Sequence, residues 1–154
     1  MANKRQIEAL NELLKGEYMA RDIYDKTKDI QGDEQVQNML DKFQKDHDRH
    51  IQQLKQRIFE LGGDPEQSAG FAGTMANMSA TYKSLLGPEA LLKQVYEGEK
   101  MGVEAYEKRL DGLDPESQAL AKQLMEEDHE HLTFFEARMD SESQEAENDE
   151  MDLQ

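Results

Sequence analysis

Two stretches of this chain repeat each other 82 residues apart, and that repeat limits what the chain can fold into: residues 16–26 read GEYMARDIYDK and residues 98–108 read GEKMGVEAYEK. Each sets a glutamate seven residues ahead of a tyrosine, so Glu17 and Tyr24 share one helix face two turns apart, as do Glu99 and Tyr106. A second echo follows each, HDRHIQQL from His47 and DHEHLTFF from Asp128, now at an offset of 81. The order is a glutamate, a His-x-x-His, a second glutamate and an Asp-x-x-His, spread over four helical stretches. A four-helix bundle builds a two-metal site in its core from such an order.

The remaining pattern agrees. Four stretches carry apolar residues at helical spacing. The first covers residues 4–29, with Ile7, Leu10, Leu14, Glu17, Arg21 and Tyr24 in one stripe. The second covers 34–61, starting after Asp33, a good N-cap, and stopping at Gly62-Gly63-Asp64-Pro65. The third covers 88–110, with Pro88 in its first turn, where a missing N–H costs nothing. The fourth opens at Asp114-Pro115 and carries Leu120, Leu124, Asp128, His131, Phe135 and Met139. Short connections make antiparallel hairpins of the first and last pairs. Between them lie 26 residues, 62–87, enough to return along a helix roughly 40 Å long. A short helix is expected within 74–86. The expected fold is all-α: two antiparallel hairpins joined by one long crossover, the ferritin-like four-helix bundle, over residues 1–139.

Burial fixes the register of the second echo. An offset of 82 pairs His47 with His129, but it also sets Leu54 against Glu136 and Ile58 against Asp140. An offset of 81 pairs Ile51 with Leu132, Leu54 with Phe135 and Ile58 with Met139. At roughly 25 cal/mol per Å², a misplaced core stripe costs several kcal/mol, so 81 is preferred. His47 then corresponds to Asp128 and His50 to His131, and His129 faces outward.

Composition removes several classes of function. A formal charge of −16 opposes nucleic acid and anionic membranes as partners. No cysteine is present, which excludes disulfides, thiol catalysis and cysteine-ligated iron. The sequence shows no long apolar run and no signal-peptide core near its start, so a cytoplasmic location is expected. Residues 140–154 hold seven acidic and no basic side chains, and disorder is expected there.

Six ligand-type side chains fall on the apolar seams: Glu17, His47, His50, Glu99, Asp128 and His131. A charge in a bundle core costs several kcal/mol unless it is paired or metal-bound. Imidazole with carboxylate suits iron, manganese or zinc. Over residues 7–139 the chain resembles the ferritin-like di-iron carboxylate proteins, in particular short bacterial members that are rubrerythrin-like without the rubredoxin domain. GEYMARDIY is also similar to the first metal helix of the demethoxyubiquinone hydroxylase family. That resemblance implies two iron ions, with Glu17 and Glu99 as the single glutamates and His50 and His131 as the histidines of two Glu-x-x-His pairs. His47 and Asp128 stand where those families have glutamate. Two divalent ions against three carboxylates leave +1 where the family pattern leaves zero. Asp46 and Glu127, one residue before each pair, are candidates to swing in and compensate.

Tyr24 and Tyr106 are the candidate catalytic residues, as hydrogen-bond partners of the ligand set or as electron donors; the plainer reading is a buried aromatic with a satisfied hydroxyl. Arg21, Asp22 and Glu104 are further candidates for a surrounding layer. Three functions remain open. One is a redox enzyme acting on O₂ or peroxide with an external electron donor. Another is metal binding or iron handling in which oxidation only loads the metal. The third is a structural or stress-related bundle. With no fifth helix expected, a homodimer is expected over a cage.

Overall fold

The structure is a computed structural model and describes residues 2–70 and 87–152. The short helix expected within 74–86 lies outside these residues. Four long helices account for most of the described chain: α1 (Ala2–Lys28), α2 (Glu34–Glu60), α3 (Pro88–Arg109) and α4 (Pro115–Asp152). A single 3-10 turn, Leu110–Gly112, leads from α3 towards α4. The sequence places every one of these boundaries within two residues except the end of α4.

Local chemistry explains the starts and stops. Asp33 caps α2, its carboxylate accepting from the amides of Gln35 and Val36 at 2.9 and 3.3 Å. Asp114 caps α4 in the same way, accepting from Ser117 N–H at 2.7 Å, and the Arg57 guanidinium of α2 donates to the same carboxylate. The α2 end turns through Gly62 at φ 84°, a left-handed conformation that suits glycine. At Gly63 the reason is space: a Cβ there would sit 2.6 Å from the Ile7 side chain of α1.

Each helix packs on two others: α1 on α2 and α3, and α4 on α3 and α2. Contacts fix their sense. Tyr24 of α1 reaches Glu99 of α3 while Glu17 reaches Tyr106, so α1 and α3 are antiparallel. His50 and Arg57 of α2 reach Glu127 and Ser117 of α4, so these two are antiparallel as well. With each hairpin antiparallel, α2 and α3 run the same way, and the chain must travel the bundle's length between them. The topology is the one expected.

The core divides into two apolar clusters. Leu10, Leu14, Leu54, Ile58, Tyr106 and Leu124 fill one end, and Tyr24, Val36, Leu40, Phe43, Val95 and Phe135 the other. Between them lies a polar layer. No helix among the described residues is long and apolar enough to cross a membrane. Helix α4 continues through the acidic stretch for which composition predicts disorder, and residues 140–152 are helical with almost every side chain exposed. Glutamate, glutamine, alanine and methionine are good helix formers, and Arg138 pairs with Glu142 one turn on at 3.2 Å.

Candidate metal centre

Each helix delivers its share of the polar layer because its apolar stripe faces the bundle axis and the ligand-type residues sit in that stripe. Glu17, His47, His50, Glu99, Asp128 and His131 are all at most 4% exposed. The i, i+3 spacing puts His47 beside His50 on α2, and Asp128 beside His131 on α4. The structure brings all six together as two overlapping quartets. Glu17, His47, His50 and Asp128 offer donor atoms within 4.8 Å of one another, and so do His47, Glu99, Asp128 and His131. His47 and Asp128, which correspond under the offset of 81, are shared by both quartets. His129 is exposed, as that offset requires.

His47 lies between the two glutamates. Its Nδ1 is 2.6 Å from Glu17 Oε2 and its Nε2 is 2.7 Å from Glu99 Oε1. The tyrosines close the arrangement crosswise: Tyr106 donates to Glu17 Oε1 at 2.6 Å, and Tyr24 donates to Glu99 Oε1. Each tyrosine therefore satisfies the glutamate of the opposite hairpin. Phe43 packs over His131 with ring centroids 4.1 Å apart, screening that side from water.

The charges follow from this geometry. Burial would drive His47 towards its neutral form, but the Glu99 and Glu17 carboxylates outweigh burial and hold its pKa well above the usual value. Burial likewise opposes ionisation of Glu99, yet the charge of His47 and hydrogen bonds from His131 and His47 hold it down at about 2. Glu17 is depressed in the same way by His47 and His50. Asp128 goes the opposite direction: burial and the neighbouring Glu17 and Glu99 charges push it well above the carboxylate range. Burial and the same carboxylates push both tyrosine hydroxyls up, so they remain protonated donors.

Asp46 and Glu127 do not enter the quartets. They hold the outer nitrogens of the two histidines, each across to the other hairpin. His131 turns Nδ1 towards Glu99 at 2.9 Å and its Nε2 towards Asp46 at 2.9 Å. His50 turns Nδ1 towards Glu17 at 3.3 Å while its Nε2 meets Glu127. Arg49 ties the pair from outside, at 3.2 Å from Asp46 and 2.6 Å from Glu127. A carboxylate on the far nitrogen fixes a histidine's tautomer and leaves its inner nitrogen free as a ligand. The sequence carried a signal for this pair, since Asp46 and Glu127 also correspond at the offset of 81. Arg21 does not turn inward: its guanidinium lies 3.4 Å from Asp22 and 5.1 Å from the Tyr18 ring.

The donor set fits a metal pair. Three imidazoles and three carboxylates share one buried layer, and Asp128 Oδ1 has no hydrogen-bond partner there. The nearest nitrogens to it, His50 Nδ1 and His131 Nδ1, are 3.6 and 3.7 Å away. A cation between these groups would satisfy that oxygen and relieve the repulsion among the carboxylates.

No curated protein matches this chain in sequence. Among solved structures it is similar to a dodecameric thioferritin, the bacterioferritin-related protein of Bacteroides fragilis. The TM-score is 0.77 at 20% identity, over 95% of this chain and 90% of that one. The likeness establishes the ferritin-like fold. It lends no support to the expected dimer, since the similar protein is described as dodecameric. Residues 5–112 match the family described as a domain of unknown function, DUF2383, and the chain belongs to that family.

Proposed function

We propose that the buried layer binds two divalent transition-metal ions, iron foremost with manganese and zinc as alternatives, and that the pair is used in redox chemistry on O₂ or peroxide. Glu17 and His50 would hold one ion and Glu99 and His131 the other, with the Asp128 carboxylate common to both; His47, whose neutral imidazole has one free lone pair, would serve one of them. The observation that carries this reading is the pair of overlapping quartets, with an unpartnered carboxylate oxygen on a residue common to both. A bound iron pair supplies one- and two-electron redox chemistry; with no cysteine in the chain, the electrons come from an external donor.

The protein's own groups then have definite tasks. Tyr24 and Tyr106 orient Glu99 and Glu17 and keep their hydroxyl protons next to the ligand set. Asp46 and Glu127 hold the outer protons of His131 and His50. The two apolar clusters exclude water from either end. The test is elemental analysis of the protein from its own host and after reconstitution. Two ions per chain are expected, and the double change His50→Ala with His131→Ala should remove both. Unchanged metal content in that variant would reject the assignment.

One observation favours a second reading, a bundle whose core is an ion cluster without metal. His47 already bridges two carboxylates, and each glutamate accepts a hydrogen bond from a tyrosine hydroxyl. A melt that is identical with and without chelator would select it. A ligand that binds only the folded state at a hundredfold excess over its dissociation constant stabilises by about 2.7 kcal/mol, so loss of bound metal should lower the melting temperature by several degrees.

A further inference from the structure

Three glycines in the interiors of α1 and α3 have no structural excuse. Glycine in a helix costs about 1 kcal/mol relative to alanine. Gly63 is explained by the Ile7 side chain against it, but a Cβ added at Gly16, Gly98 or Gly102 would meet nothing within 4 Å. All three open onto the same space between α1 and α3. An outer chamber of about 210 Å³ has Met19, Ile23, Val95 and Met101 in its walls and Tyr24 and Glu99 at its polar end. An inner chamber of about 50 Å³ continues from it and reaches Glu17, His47 and Asp128. Gly16, Ala20, Gly98, Glu99, Gly102 and Ala105 line both chambers, so the two meet where α1 and α3 carry small side chains. At the inner end lies the unpartnered Oδ1 of Asp128, a residue only 2% exposed.

We propose that the α1–α3 groove binds a small, uncharged, apolar molecule, of the size of a single aromatic ring or a short hydrocarbon, and admits it to the metal centre past Gly98 and Glu99. Size and lining select this class. An apolar cavity of about 150 Å³ accepts benzene, so the outer chamber takes a molecule of that order. Among the described residues Glu99 is the only charged one in its wall, which leaves an anion without a cationic partner and an ion of either sign against a mostly apolar lining. The inner end of the route rests on the two-metal reading; binding in the outer chamber does not.

Benzene is the probe. In metal-free protein carrying labelled methyl groups, benzene should shift Met19, Ile23, Val95 and Met101 saturably and leave Ile58, at the far end of the bundle, unmoved. Gly98→Leu, which fills the passage, should weaken binding by at least about tenfold. Gly98→Ala should fold, melt higher and still bind. In protein loaded with Mn²⁺ the metal should relax the bound benzene protons, and Gly98→Leu should abolish that relaxation while taking up the same amount of Mn²⁺. If Gly98→Leu fails to fold, Ala20→Leu on the opposite wall makes the same test. Absence of saturable shifts, or shifts that both blocking changes leave intact, would overturn the proposal. So would a self-associated form that Gly98→Leu dissociates in the absence of any benzene effect, which would make the groove a contact between copies. Benzene binding by a protein that takes up none of Fe²⁺, Mn²⁺ and Zn²⁺ would instead sink the two-metal reading and leave the apolar site standing.

Discussion

The two hairpins contribute almost the same parts to the centre and differ where it matters most. Glu17 matches Glu99, Tyr24 matches Tyr106, His50 matches His131, and Asp46 matches Glu127 as the partner of the opposite histidine. At the middle position one hairpin has an imidazole and the other a carboxylate. His47 sits between two anions and stabilises them; Asp128 sits among the same anions and is destabilised by them. The duplicated outer groups therefore set a frame, and the unlike central pair sets its charge. In the metal-free protein these two corresponding positions pull stability in opposite directions.

The largest test of that asymmetry is a pair of substitutions. His47→Gln removes the only cation between two buried carboxylates and should cost about 3 kcal/mol in the metal-free protein. Asp128→Asn removes the group that opposes ionisation of its neighbours and should stabilise the metal-free protein by about 1 kcal/mol while weakening metal binding. Denaturant unfolding of both, with chelator present, measures the signs; equal signs would end the comparison.

Acidity gives the next effect. His47 has a folded pKa above its ordinary 6.5, so its contribution is complete below that value and is lost as pH rises through the folded pKa. Glu99 is held at about 2 against an ordinary 4.5, so its contribution is present above 4.5 and lost as pH falls towards 2. Asp128, with its pKa raised, takes stability away as pH rises from its ordinary 3.8 through the folded pKa, in the same sense as His47 on the alkaline side. Metal-free protein should thus melt highest at about pH 4.5, where the Glu99 contribution is complete and the Asp128 penalty has only begun, and lose stability towards alkaline pH. His47→Gln should flatten the alkaline limb. Loading metal should reverse its slope, because protons compete with metal for the same ligands.

Smaller effects test the frame's equivalence. Tyr24→Phe and Tyr106→Phe each remove one donor from a buried glutamate and should cost about 1–2 kcal/mol apiece, by similar amounts. A large difference between them in thermal or chemical melts would show that the two glutamates are not equivalent. The smallest change is expected at Arg49, which is about half exposed and pairs with Asp46 and Glu127. Arg49→Met should leave the melt nearly unchanged and reduce metal affinity by about tenfold through loosened histidines.

Periodicity alone made the fold legible, because four amphipathic stripes with two short connections and one long one leave few topologies. The six centre residues were legible for a related reason: a charged group such as Asp128 in the stripe of Leu124 and Phe135 breaks a rule that only a partner can restore. What sequence could not show was who meets whom. That Tyr24 serves Glu99 and not Glu17 depends on the antiparallel α1–α3 contact. That His47 turns its two nitrogens to opposite hairpins depends on a rotamer, which spacing along the chain does not fix. Asp46 and Glu127 stand out in sequence as candidates to compensate the centre's charge, and only the other helix reveals that they hold the outer nitrogens of the histidines instead. The helix at 140–152 was illegible because no apolar stripe marks it; backbone propensity, with the Arg138–Glu142 pair at its start, suffices to draw it.

That acidic extension of α4 has a consequence for how the chain's net charge is understood. Asp140 lies nine residues beyond His131, about 14 Å along the helix axis, and the later carboxylates lie farther still. At physiological ionic strength, exposed charges fade over about 8 Å. The seven carboxylates of residues 140–154 therefore exert almost no potential on the buried centre, although they supply nearly half of the −16. The bulk acidity of this protein and the charge its core presents to an ion are separate quantities, held at opposite stations along one helix.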